Sequence, residues 1–274
     1  MSDRIRKPAV AGMFYPGDPT ELKEYINFML SQNSVSETFN NIVGIVSPHA
    51  GYVYSGTTAA FAYNAVKNLN IKNIYILSPS HREYFDGICI FDGDYYQTPL
   101  GNIPVNNELS NKLCANSKHL FKGLNGHRNE HALEVQLPFL QVIFNNFNII
   151  PIVIGNQKKS YLDELAINIK TVWDSNSLIV ASSDLSHFHN TETAAKLDGI
   201  IINRINNFDF DGLLKDLEYD NCEACGGGAI YLLMKLADLL NINKAKVLKR
   251  TDSSLVNKDK HEVVGYLSAV IYGN

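Results

Sequence analysis

Apolar positions change their period along this chain, and the changes divide it. Residues 7–19, KPAVAGMFYPGDP, carry three prolines and two glycines, which predicts an extended, turn-rich arm laid across the surface. From residue 20 to residue 32, Leu22, Tyr25, Ile26, Met29 and Leu30 recur at helical spacing behind capping residues Asp18 to Thr20. The Asn- and Ser-rich residues 33–41 then predict a loop. Beyond it, short β-branched runs occupy residues 42–46, 74–77, 88–91, 149–154, 178–181 and 263–271. Continuous rather than alternating apolar runs suit strands buried on both faces. Amphipathic stretches at residues 57–68, 108–115, 131–144, 161–173, 194–206 and 227–240 separate these runs, each long enough for a helix.

The alternation predicts a single-domain layered α/β/α architecture around a central mixed β-sheet. The sheet should be mixed because the run at residues 87–92 is followed by turn-rich residues 93–104, with no crossover helix. No repeat, Gly/Ser linker or charge block marks a boundary, so residues 1–274 are read as one domain. With 45% apolar and 19% charged residues, the chain can bury a substantial core. A net charge of -4 with scattered Lys and Arg offers no basic stripe for phosphates, so nucleic acid is not expected as a partner. No apolar run approaches the roughly 20 residues a bilayer span requires, and the first residues lack the apolar core of a signal peptide. Four cysteines are too few for a disulfide framework, which predicts a cytoplasmic protein.

The candidate chemistry collects at strand ends. Two runs finish alike, as Ile45-Val46-Ser47-Pro48-His49 and Ile76-Leu77-Ser78-Pro79-Ser80-His81, each delivering a histidine just beyond a proline. A third passes into Ser182-Ser183-Asp184-Leu185-Ser186-His187. In open α/β sheets ligands bind beyond the carboxyl ends of the strands, so three such ends can aim at one volume. Any one of these histidines could instead cap a helix or satisfy a buried backbone group; three together favour a site. His131 and Glu134, three residues apart in a segment that predicts a helix, would share a face and could both look into the cleft. Against that stands a plain solvated helix start, with Glu130 and Glu134 near the positive end of the dipole.

Cys222-Glu223-Ala224-Cys225 runs into three glycines and an apolar helix, a setting that favours a thiolate and close backbone approach. A lone C-x-x-C is weak support for a structural zinc site. His49, His81 and Cys225 would form a site soft enough for copper(I), iron(II) or zinc; with Asp184 or Glu134 in place of the thiolate, iron(II) would be favoured. Ser182, Ser183 and Ser186 near His187 raise a hydrolase, but no G-x-S-x-G elbow is present.

The motifs Pro48-His49-Ala50-Gly51-Tyr52, Ser78-Pro79-Ser80-His81, Glu130-His131-Ala132-Leu133-Glu134, Ser182-Ser183-Asp184-Leu185-Ser186-His187 and Cys225-Gly226 stand in the order of one family. The chain resembles the MEMO family from the arm Arg6-Lys7-Pro8-Ala9-Val10-Ala11-Gly12-Met13-Phe14-Tyr15-Pro16 to Gly265-Tyr266-Leu267-Ser268-Ala269. That family is similar in fold to the class III extradiol dioxygenases, non-haem iron enzymes that open catechol rings. The resemblance implies His49, His81 and Cys225 as metal-contacting residues and His187 as a catalytic base assisted by Asp184. His131 would join the catalytic group, with Glu134 and Cys222 in the surrounding shell.

It also implies iron(II) or copper ahead of zinc, and a functional link of microbial members to a radical-SAM protein, under the label AmmeMemoRadiSam system protein B. Animal relatives are implicated in motility signalling, phosphopeptide binding and copper or iron handling. A thiolate stands where the dioxygenases have a carboxylate, which turns the expectation from ring opening toward a redox-active metal protein. The rival classes are a binding module that holds a small molecule, peptide or anionic ligand in the same cleft, and a metal-dependent hydrolase. Neither the residues nor the resemblance sets the oligomeric state.

Overall fold

The apolar runs form the middle of a nine-stranded sheet in a computed structural model that describes residues 4–274. In chain order β1 (Ile5–Arg6) precedes α1 (Pro19–Gln32), β2 (Asn40–Ser47), α2 (Tyr52–Val66), β3 (Asn73–Pro79) and β4 (Ile88–Phe91). A hairpin of β5 (Tyr95–Thr98) and β6 (Gly101–Pro104) leads to α3 (Asn107–Cys114) and β7 (Leu120–Gly123). A 3-10 turn (Glu134–Gln136) runs directly into α4 (Leu137–Ile143), followed by β8 (Asn148–Ile154), α5 (Lys159–Val172), β9 (Ser177–Ser182) and β10 (His187–His189). The remaining elements are α6 (Thr191–Asn206), α7 (Phe210–Glu218), α8 (Gly227–Leu239), β11 (Lys244–Asp252), α9 (Ser254–Asn257) and β12 (Val263–Gly273).

Strands β2, β9, β3 and β8 lie side by side and parallel, while β12 runs antiparallel to β2 and β4 antiparallel to β8. The sheet is therefore mixed, though not for want of a crossover after β4: α3 lies between β4 and β7, and those two strands pair in parallel. Both its faces are covered. Ile74 and Ile76 of β3 meet α1, α2 and α4 on one side; Tyr75 and Leu77 meet the layer of α5 and α8 on the other. Two-sided burial is why these strands read as continuous apolar runs. No helix among the described residues is long and apolar enough to cross a membrane.

Several elements depart from the sequence pattern. Helix α2 begins at Tyr52, straight after the turn that carries His49, rather than at residue 57. Residues 93–104 are not merely turns: β5 and β6 pair there and join β1 in a separate three-stranded sheet. Residues 131–144 are not one helix. Pro138 has no N–H to give the Glu134 carbonyl, so the ladder breaks into the 3-10 turn and the short α4. His131 lies before both, and it shares no helical face with Glu134.

Nor does the arm simply lie on the surface. Val10 and Tyr15 are buried, and what holds them is Glu134. This carboxylate, fully buried, accepts from the Arg6 guanidinium, the Ala9 N–H (2.7 Å), the Val10 N–H (3.0 Å) and the Tyr15 hydroxyl. Arg6 also donates to the carbonyls of His127 (3.0 Å) and Glu130. Glu134 thus anchors the arm instead of lining the cleft. Glu134→Ala leaves the guanidinium buried without its partner and is expected to cost about 3–5 kcal/mol, measurable by urea unfolding.

His127, beside that clamp, is fully buried with both nitrogens used: Nε2 donates to the Cys89 carbonyl (3.1 Å) and Nδ1 accepts from the Tyr96 hydroxyl (2.6 Å). Burial pushes its pKa from 6.5 down to about 3. Above 6.5 folded and unfolded chains both hold it neutral. Below that value the unfolded chain takes a proton that the folded one refuses, so stability falls with pH until the folded value is reached. The expected slope from this group approaches about 1.4 kcal/mol per pH unit. Unfolding free energies of wild type and His127→Gln across this range should differ in slope; parallel curves would remove His127 as the cause.

Candidate metal centre

Strand β9 lies between β2 and β3, and all three run the same way, so their carboxyl ends leave the sheet at one edge. His49 follows β2, His81 follows β3, and Asp184 and His187 follow β9. His131 reaches the same place from the turn before α4. The three rings converge: centroids are 5.1 Å apart for His49 and His81, 5.6 Å for His49 and His131, and 4.9 Å for His81 and His131.

Cys225 arrives from the start of α8. A Cβ on the next residue, Gly226, would lie 2.1 Å from the Ser182 carbonyl oxygen, so only glycine lets this turn lie against β9. The Gly226 N–H then donates to Ser183 Oγ (3.0 Å). Cys225 Sγ sits 3.1 Å from His49 Nε2, and the ligand atoms of His49, His81 and Cys225 all lie within 4.8 Å of one another.

The tautomer of His49 follows from its neighbours. Ser182 donates its hydroxyl hydrogen to the Ala132 carbonyl (2.7 Å) and accepts from Gln136 Nε2 (2.8 Å). At 2.9 Å from the same oxygen, His49 Nδ1 must therefore be the donor, leaving Nε2 bare toward the thiol. Burial, and then the facing rings of His81 and His131, hold the His49 pKa well below its ordinary 6.5, so the imidazole is neutral. Gln136 is itself fixed by the Tyr63 hydroxyl (2.6 Å) and by donating to the Pro48 carbonyl (3.0 Å).

Around His81 the partner is Glu130. Its carboxylate accepts from the His81 N–H (2.6 Å) and Nδ1 (2.9 Å), and from the N–H groups of His131 and Ala132 (both 3.0 Å). His131 Nδ1 is 3.2 Å from the same oxygen, at an angle that makes no hydrogen bond. Burial alone would raise the Glu130 pKa; the imidazoles of His131 and His81 instead hold it well below the usual carboxylate range. His81, Glu130 and His131 are also close enough to share an ion, but a carboxylate already accepting four N–H donors has little to offer one.

Asp184 is buried, with its carboxylate accepting from the His49 N–H (2.7 Å) and its own N–H donating to Cys225 Sγ (3.3 Å). Burial pushes its carboxyl up to about 6, against the pull of the His49 N–H and the nearby histidines. It makes no hydrogen bond to His187, which is half-buried and ties its backbone N–H to Glu223 (3.3 Å). His187 and Cys225 open onto a cavity of about 420 Å³ with Leu185 and Leu214 in its wall. Cys222 lines that cavity too, but lies outside the His49, His81 and Cys225 group, and burial pushes its thiol up to about 11.

Glu130 and Gln136 were not legible as site residues, and Ser182 was read only as a possible nucleophile: an acid next to a histidine and a lone glutamine carry no spacing signal. The three serines near His187 are all fully buried, and Ser182 and Ser183 spend their hydroxyl hydrogens on backbone carbonyls. A fluorophosphonate probe is therefore expected to leave the protein unlabelled by intact mass; a stoichiometric adduct on any of them would restore a serine nucleophile.

A family model described as Memo-like protein matches residues 6–270. The MEMO1 family protein TV1383 of Thermoplasma volcanium is 40% identical over 268 residues, covering 97% of this chain and 98% of that one. MEMO1 family proteins of Methanobrevibacter smithii and Nitrosopumilus maritimus are each 36% identical, covering 97% and 96% of this chain and 99% and 98% of theirs. Among solved structures, the uncharacterized protein JW3007 from Escherichia coli K12 has the same fold, with a TM-score of 0.51 at 12% identity, covering 84% of this chain and 99% of that one.

Proposed function

The chain belongs to the Memo-like protein family, and on that premise we propose that its cleft binds one transition-metal ion through His49, His81 and Cys225 for redox chemistry on a small molecule. The carrying observation is the convergence of two imidazoles and a thiol with donor atoms within 4.8 Å of one another. A neutral imidazole held from behind at Nδ1 presents a bare Nε2 to the Cys225 sulfur, the nitrogen an ion would take once the thiol gives up its proton. Two imidazoles and a thiolate are soft enough to favour iron(II) or copper(I) over magnesium or calcium, with zinc behind them in a redox role. Such an ion supplies electron transfer and Lewis acidity when bound.

The chain's own residues supply the rest. Asp184 holds the His49 backbone and, through its N–H, the Cys225 sulfur. Half-buried His187, at the cavity wall, is the group placed to give or take a proton, and His131 is a second imidazole beside the centre. Ligand binding without turnover, at least of an anion, is the poorer fit: Glu218, Asp220 and Glu223 line the cavity, and no Lys or Arg does.

Titration of iron(II), copper(I) and zinc without oxygen into wild type and Cys225→Ser tests the centre. The expected result is one ion per chain in wild type, bound at least about tenfold more weakly by the variant. A His49→Ala, His81→Ala double variant should stay folded and lose stoichiometric metal. Equal binding by wild type and Cys225→Ser would overturn the assignment.

A further inference from the structure

We propose that Glu130 is a positioning residue that fixes His81 as its Nδ1–H tautomer, leaving Nε2 as that ring's free donor. Its consequence for metal affinity rests on the metal reading above; the geometry behind it does not. Glu130 is 1% exposed, and its two oxygens divide the work. Oε2 takes the backbone N–H of His81, while Oε1 takes that residue's ring Nδ1 and the N–H groups of His131 and Ala132. One side chain therefore orders both ends of the contact, the loop after β3 and the turn before α4. Arg6 donates to the Glu130 carbonyl and so ties the same residue to the arm.

An ionised carboxylate only accepts, so every nitrogen hydrogen-bonded to it must carry the hydrogen. A ring nitrogen 2.9 Å from it is consequently Nδ1–H, and the lone pair of a neutral imidazole then falls on Nε2. Ser182 reaches the same tautomer at His49 through a neutral hydroxyl. The charge at Glu130 makes its hold the stronger of the two.

A carboxamide cannot reproduce this arrangement. With its oxygen in the Oε1 position, glutamine would turn an NH2 group against the His81 backbone N–H. With the amide reversed, the NH2 would face Nδ1 and drive the proton to Nε2, the atom an ion needs. Glu130→Gln preserves shape and removes the acceptor, whereas Glu130→Asp keeps the charge on a shorter arm.

The deciding measurement is nitrogen-15 NMR of the His81 ring in the metal-free protein, with zinc affinity measured in parallel. Wild type should show Nδ1–H. Glu130→Gln should move His81 toward Nε2–H and weaken zinc binding by about 10- to 100-fold. Glu130→Asp should restore the wild-type tautomer, and Glu134→Gln, on the same turn, should lower stability with the tautomer unchanged. Wild-type His81 found as Nε2–H would overturn the proposal without any variant, as would a Glu130→Gln protein with the wild-type tautomer and affinity. A wild type that binds no zinc or other metal would instead overturn the metal reading, and the tautomer measurement would still decide the role of Glu130.

Discussion

Glu134 carries a negative charge where no water can reach it, and the chain answers that charge with a guanidinium, two backbone amides and a phenol. Leaving any one of these unmet in a dry interior would be costly, so the arm and the turn before α4 can occupy one relative position. The turn is short, and its other polar side chains face elsewhere: Glu130 toward His81, Gln136 toward Ser182 and so toward His49. A single buried ion pair therefore holds, at one remove, both imidazoles of the candidate centre. The sheet delivers those histidines to a common edge; the turn fixes how their rings are aimed.

The candidate centre is also arranged electrostatically by the chain alone. Burial keeps His49 neutral and pushes the Cys225 thiol well up, so the metal-free cleft holds uncharged donors in hydrogen-bond contact with one another. The carboxylate of Glu130 stands behind His81, where it polarises the ring without occupying the space between the donors. Placing the charge in the second rank leaves the two imidazoles and the thiol in front, and on the proposed reading such a site would discriminate by ligand type as much as by geometry.

What could be read from residues alone was whatever depends on burial and strand ends. Ile74 to Leu77 and Leu178 to Ala181 are apolar throughout because both faces of the sheet are covered, and the histidines beyond them had to emerge at its carboxyl edge. Local periodicity misled where a tertiary contact overrode it. Glu134 and His131 look like helix neighbours, yet His131 lies outside the 3-10 turn that begins at Glu134, and Glu134 turns to an arm more than a hundred residues earlier. β11, with its lysines alternating against Ala245 and Val247, carried a half-buried strand pattern that attention to continuous apolar runs passes over. Glu130 was invisible for a different reason: its role depends on meeting His81, 49 positions away, and no local pattern encodes that meeting.

The clamp has a consequence for the order in which the protein comes into being. Arg6 and Glu134 are 128 positions apart, and His49 and Cys225 are 176 apart. On the ribosome the arm emerges before the turn that it docks on, and Cys225 comes later still. Contacts of such long sequence separation close only after much chain entropy has been lost, which slows folding and leaves apolar strands waiting for partners. A nascent chain of this protein thus spends much of its synthesis with an unfastened arm, and with the histidines of the cleft in place before the sulfur that they will face.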